Sequence, residues 1–116
     1  MNRTHIFTVD IPKSFFDRLE FPKWATDMLV HDVFKPVADN TSTQAEQFRR
    51  IKRAKVTVHE SETLYIVRCS VRTELPFKAA ENLVSRLVKN NVTIELSRYL
   101  DSDSKFNLNF LSEGEK

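Results

Sequence analysis

Five cations occupy seven consecutive positions in Arg49-Arg50-Ile51-Lys52-Arg53-Ala54-Lys55, and no acid stands among them. Guanidinium and ammonium groups at this density suit phosphate contact, where each neutralised phosphate adds both affinity and salt dependence. Arginine supplies three of the five, and its planar donor fork favours bidentate recognition of phosphate or carboxylate. Arg68 and Arg72 add two cations in the segment Thr63-Leu64-Tyr65-Ile66-Val67-Arg68-Cys69-Ser70-Val71-Arg72-Thr73. A charge run of this kind also serves as a plain solvated face, and an acidic protein surface would satisfy the same groups.

Other chemistry-bearing residues are sparse. The single glycine, Gly114, excludes phosphate-cradling loops of the GxxxxGK[ST] and GxGxxG types and a GxSxG nucleophile elbow. The histidines stand apart at 5, 31 and 59, with no metal-ligand spacing, and no metal or small-molecule cofactor is expected. Cys69 alternates with Tyr65, Val67 and Val71, the pattern of a buried, inert thiol. Asp10 ends a strand in Ile6-Phe7-Thr8-Val9-Asp10-Ile11, which resembles the place of a metal-binding aspartate in small ferredoxin-like nucleases; a turn or cap role beside Pro12 is the simpler assignment. The same strand resembles the RNP2 strand of RNA-recognition modules, but residues 65–72 have neither the glycines nor the spaced aromatics of RNP1. Trp24 and Met28 are candidates for a protein interface, since such patches are rich in aromatic residues and methionine.

The net charge of +2 conceals a division: residues 1–48 carry −2, residues 49–100 carry +6 and residues 101–116 carry −2. With 41% hydrophobic and 29% charged residues the chain reads as an ordinary globular sequence. No apolar run is long enough for a membrane span, and one cysteine cannot form an internal disulfide, so a cytoplasmic location is the expectation. Residues 1–111 are expected to form one domain, with 112–116 a flexible tail.

The elements that must hold these side chains follow from periodicity. Two-residue alternation predicts strands at 4–11, 55–60 and 63–73. Short helices are expected at 13–20 and 23–34, followed by a polar linker at 37–42. Thr43 and Glu46 have capping-box spacing, which predicts a helix over 44–54 with Ala45, Phe48 and Ile51 docked and Arg49, Arg50 and Arg53 outward. Pro76 opens a helix over 76–90, ended by Asn90-Asn91 as a glycine-free cap. Further strands are expected at 92–99 and 105–111, joined by Asp101-Ser102-Asp103-Ser104.

The predicted class is α+β: a mostly antiparallel sheet with helices on one face, in ferredoxin-like βαββαβ order, with extra helices in the first crossover and a C-terminal hairpin strand. Its open face should collect Thr8, Asp10, Lys55, Thr57, His59, Arg68, Ser70, Arg72, Thr93, Glu95, Ser97 and Tyr99, with Ile6, Leu64 and Ile66 among them. The expected function is a non-enzymatic regulatory protein contacting RNA or DNA through Arg49, Arg50, Lys52, Arg53, Lys55, Arg68 and Arg72. Alternatives are a protein–protein inhibitor or adaptor using Trp24 and Met28, with a second copy of the chain as one partner, and a Mg-dependent nuclease using Asp10.

Overall fold

Strict alternation builds β1 (Arg3–Pro12): Phe7, Val9 and Ile11 are buried, whereas Ile6, Thr8 and Asp10 are exposed. In the computed structural model, which describes residues 1–17, 28 and 30–98, β1 is followed by a helical turn α1 (Ser14–Asp17). Next come one π-helical turn (Val30–Phe34), α2 (Lys35–Glu46), β2 (Ile51–Glu60), β3 (Leu64–Thr73) and α3 (Phe77–Ser97). The strands form one antiparallel sheet in the order β1-β3-β2, so β1 and β2 run the same way on either side of β3. The α+β class with helices packed on an antiparallel sheet is therefore as expected.

One sheet face carries the core. Phe7, Val9 and Ile11 of β1 join Tyr65, Val67, Cys69 and Val71 of β3 and Ala54 and Val56 of β2, all buried beneath the helices. At the Tyr65 end the ring of Phe34 stacks on Tyr65, with centroids 4.5 Å apart, while Phe16 meets Tyr65 edge-on at 5.4 Å. At the other end Phe77, in the first turn of α3, sits edge-on to His5 and Phe7 at 5.5 and 6.1 Å. The helices lock to each other through the buried Asn91 amide, which donates to Thr41 Oγ1 and to Gln44 Oε1, both at 3.0 Å.

Four local expectations are overturned. The linker at 37–42 is helical: Pro36 lies in the first turn of α2, and Val37, Ala38, Thr41 and Ala45 are buried at helical spacing. The helix over 44–54 is not formed. α2 ends at Glu46, and the supposed capping residues act otherwise: Thr43 bonds back to the Asp39 carbonyl, and Glu46 accepts the Ala54 N–H at 3.0 Å. The strand over 92–99 is instead helix as far as Ser97, because the ladder Ala80, Val84, Val88, Val92 and Leu96 continues unbroken at four-residue spacing. Asn91, expected at a helix cap, is consequently in mid-helix and buried. The helix expected at 23–34 is described only at Met28 and in the π turn, and the hairpin strand 105–111 and tail 112–116 lie outside the described residues. The βαββαβ order is thus present only through its fifth element among the described residues.

Candidate nucleic-acid interface

The second sheet face is built by the same alternation that builds the core. Because Ala54 and Val56 turn inward, Arg53, Lys55, Thr57 and His59 of β2 turn outward, beside Arg72, Ser70, Arg68 and Ile66 of β3. The pairing sets Arg53 opposite Arg72, Lys55 opposite Ser70 and Thr57 opposite Arg68; on the other side of β3 stand Thr4, Ile6 and Thr8. Neighbouring strands are ~4.8 Å apart and same-face residues along a strand ~6.7 Å apart, so the four cations share a small area. Like charges directly opposite in a sheet destabilise it. Among the described residues none of Arg53, Lys55, Arg68 and Arg72 has an acidic partner; the ion pairs lie elsewhere, at Lys13–Glu60 (2.5 Å), Lys78–Glu81 (3.6 Å) and Arg98–Glu95 (3.5 Å).

Arg49, Arg50 and Lys52 lie at one end of this face and are not helical, contrary to the helix expected over 44–54. Arg49 and Arg50 belong to the turn between α2 and β2, closed by the Ile51 N–H donating to the Phe48 carbonyl at 3.0 Å. Lys52 is the additional residue where the β2–β3 register shifts between Ile51 and Arg53, a bulge. The buried Thr73 hydroxyl fixes this corner: it donates to the Arg50 carbonyl at 2.5 Å and accepts the Leu75 N–H at 3.1 Å. Arg49, Arg50 and Lys52, with Asn2 and Glu74, line an open cleft of about 460 Å³. All seven cations singled out in the sequence are exposed, three around the cleft and four on the sheet.

Sequence reasoning identified the basic residues and most of the sheet face but gave the wrong scaffold for Arg49, Arg50, Lys52 and Arg53. The missed signal was alternation beginning at Arg53, where Ala54, Val56 and Val58 extend the inward series upstream. It also placed Thr93, Glu95 and Ser97 on this face, whereas all three belong to α3, with Glu95 buried; Tyr99 lies outside the described residues. The cleft residues Asn2 and Glu74 were not anticipated, and only the fold brings them to Arg49.

The remaining candidates are placed as follows. Met28 is exposed, and Trp24 lies outside the described residues. Asp10 is exposed opposite Ile66, and among the described residues no group of three or more His, Cys, Asp and Glu side chains is placed to hold a metal ion. Burial of Cys69 on the core face pushes its thiol up to about 12, the inert state expected for it. No helix among the described residues is long and apolar enough to cross a membrane. Comparison with protein-family models, curated proteins and solved structures finds no match for this chain.

Proposed function

We propose that this chain is a non-enzymatic regulatory protein that binds nucleic acid on the open face of its sheet. The observation that carries the proposal is the Arg53–Arg72 pair with Lys55 and Arg68 beside it: four cations concentrated on a rigid surface, none of them in an ion pair among the described residues and with Asp10 the one acid on that face, an arrangement that phosphates would relieve. The face has no Phe, Tyr or Trp among the described residues, and His59 is the one aromatic ring on it there. Recognition is accordingly of the phosphate backbone, with little dependence on base sequence. The cleft of Arg49, Arg50 and Lys52 extends the track beyond the sheet. The order β1-β3-β2 with helices on one face also supports a ferredoxin-like βαββαβ arrangement.

The test is a titration of single-stranded RNA and of duplex DNA at about 50, 100 and 200 mM salt. The expected result is affinity that falls log-linearly with salt, with a slope about 3 smaller in the combined variant Arg53→Ala, Lys55→Ala, Arg68→Ala, Arg72→Ala. Binding that is immeasurable near physiological salt, or unchanged in that variant, overturns the proposal.

A further inference from the structure

The cations of the basic surface stand in two settings. On the sheet, Arg53, Lys55, Arg68 and Arg72 are spread over an open face at strand spacing, as separate contacts along a passing phosphate chain. Beyond the Arg53–Arg72 row comes the pair Ile51 and Thr73, both buried, and the face stops. Arg49, Arg50 and Lys52 stand past that limit and, with Asn2 and Glu74, surround one concave volume of about 460 Å³. A cleft lined mainly by one sign of charge focuses its field on whatever enters, as an open face does not.

The backbone under the cleft is held in place. The buried Thr73 hydroxyl donates to the Arg50 carbonyl and accepts the Leu75 N–H, so one side chain fixes both the turn that carries Arg50 and the strand end that leads to Glu74. The bulge leaves two consecutive residues exposed, Lys52 lining the cleft and Arg53 on the sheet face. Just past it α2 holds β2: Ser42 Oγ donates to the Ala54 carbonyl at 2.5 Å, and the Ala54 N–H donates to Glu46 Oε2 at 3.0 Å. Supports fixed before binding lower the ordering cost of capture.

Charge and volume indicate what fits. Three cations against one carboxylate leave the cleft two charges positive, and none of the four is ion-paired among the described residues. An internal phosphodiester carries a single negative charge, whereas a phosphomonoester carries about −1.5 to −2 near pH 7. The monoester is the closer match. The volume lies within the ~300–1,000 Å³ of small-ligand sites, more than a phosphate alone fills, so a terminal nucleotide fits with its phosphate. At the opposite end of the face the row Asp10, Ile66 and His59 sets an acid where the cleft sets cations. The two ends of the track are unequal, and the charged end of a strand belongs at the cleft.

We propose that the cleft of Arg49, Arg50 and Lys52 receives a phosphomonoester, the terminal phosphate of a single nucleic-acid strand whose internal phosphates lie along the sheet. This assignment rests on the nucleic-acid reading and adds to it a preference for phosphorylated strand ends.

The experiment is a competition titration of the full chain with short single-stranded RNAs of one sequence that end in a 5′-phosphate, in a 3′-phosphate or in hydroxyls only. Expected is binding at least about fivefold tighter for one phosphorylated form than for the hydroxyl-ended strand. The combined variant Arg49→Ala, Arg50→Ala, Lys52→Ala should abolish that ratio with its circular dichroism unchanged. By contrast Arg53→Ala, Lys55→Ala, Arg68→Ala, Arg72→Ala should weaken every strand and keep the ratio. Equal affinities of the three strands for the unmodified chain overturn the proposal and leave the sheet-face reading standing, whereas no binding of any strand overturns both. A ratio that survives the first variant places the terminal phosphate elsewhere and also overturns it. Adenosine 5′-monophosphate, expected to compete only weakly, would assign the cleft to a small phosphorylated molecule if it bound as tightly as the phosphorylated strand, and an acidic peptide binding that tightly would assign it to a protein; either result sinks the strand-end assignment.

Discussion

The two faces of this sheet are made from the same ten-residue strands and have opposite energetic characters. The covered face buries Val67, Cys69 and Val71 fully and stacks Phe34 on Tyr65, and each group there stabilises the fold by leaving water. The open face sets Arg53 against Arg72 with no acid to offset them, so those side chains work against the sheet that displays them. A residue of the first kind is kept for folding. One of the second kind calls for another explanation, which the proposed binding of a polyanion would supply.

Substitutions should separate the faces. Tyr65→Ala removes the stacked and edge-on contacts with Phe34 and Phe16, and urea unfolding should show a loss of about 3–5 kcal/mol. A loss under about 1 kcal/mol would mean that the covered face is not the organising core. Asn91→Ala leaves Thr41 and Gln44 without their amide donor between α2 and α3, at an expected cost of about 1–3 kcal/mol by the same measurement.

Cys69 gives the covered face a pH signature. Its folded thiol titrates near 12 because burial disfavours the thiolate, whereas the unfolded thiol ionises near ~8.5. Above the unfolded value the unfolded chain has released a proton that the folded chain retains, so stability is complete below it and falls as pH rises towards 12. The slope from this group approaches ~1.4 kcal/mol per pH unit. Unfolding midpoints of the unmodified chain and of Cys69→Ala should diverge across that window, and parallel curves would place the thiol in water.

The smallest effect should have the opposite sign. Arg53→Thr removes the like-charge pair with Arg72, and thermal unfolding should show stability unchanged or raised by up to about 1 kcal/mol, while affinity for RNA or DNA falls. A clear loss of stability would show that Arg53 is structural and would erase the contrast between the faces.

The sequence made some of this legible and hid the rest for identifiable reasons. β1 and β3 alternate over their whole length with branched and aromatic residues on one side, so periodicity and burial agree there. α2 was obscured because Asp39, Asn40, Thr41, Ser42 and Thr43 are weak helix formers; packing of Val37, Ala38, Thr41 and Ala45 offsets their local preference. The opposite error fell on Arg49 to Arg53, good helix formers that the fold draws into a turn and an edge strand. At 92–96 the alternation of Val92, Ile94 and Leu96 suggested a strand. In the helix Val92 and Leu96 are buried at i, i+4 spacing while Ile94 is half exposed, the cost of continuing one period through residues that also fit another. The cations themselves could be read from composition, but whether they share a face depends on the β2–β3 register, which local periodicity does not supply.

The engagement of Ala54 by Ser42 and Glu46 has a further consequence, for colloidal behaviour. Electrostatic repulsion between basic faces weakens as salt is added, and proteins that rely on charge alone to keep exposed strands apart become prone to edge-to-edge assembly under those conditions. Here the backbone N–H and C=O of Ala54 are already occupied on the outer side of β2, and that occupation is far less sensitive to ionic strength. The backbone of β2 between Arg53 and Lys55 is therefore closed to a further strand at high salt as well as at low.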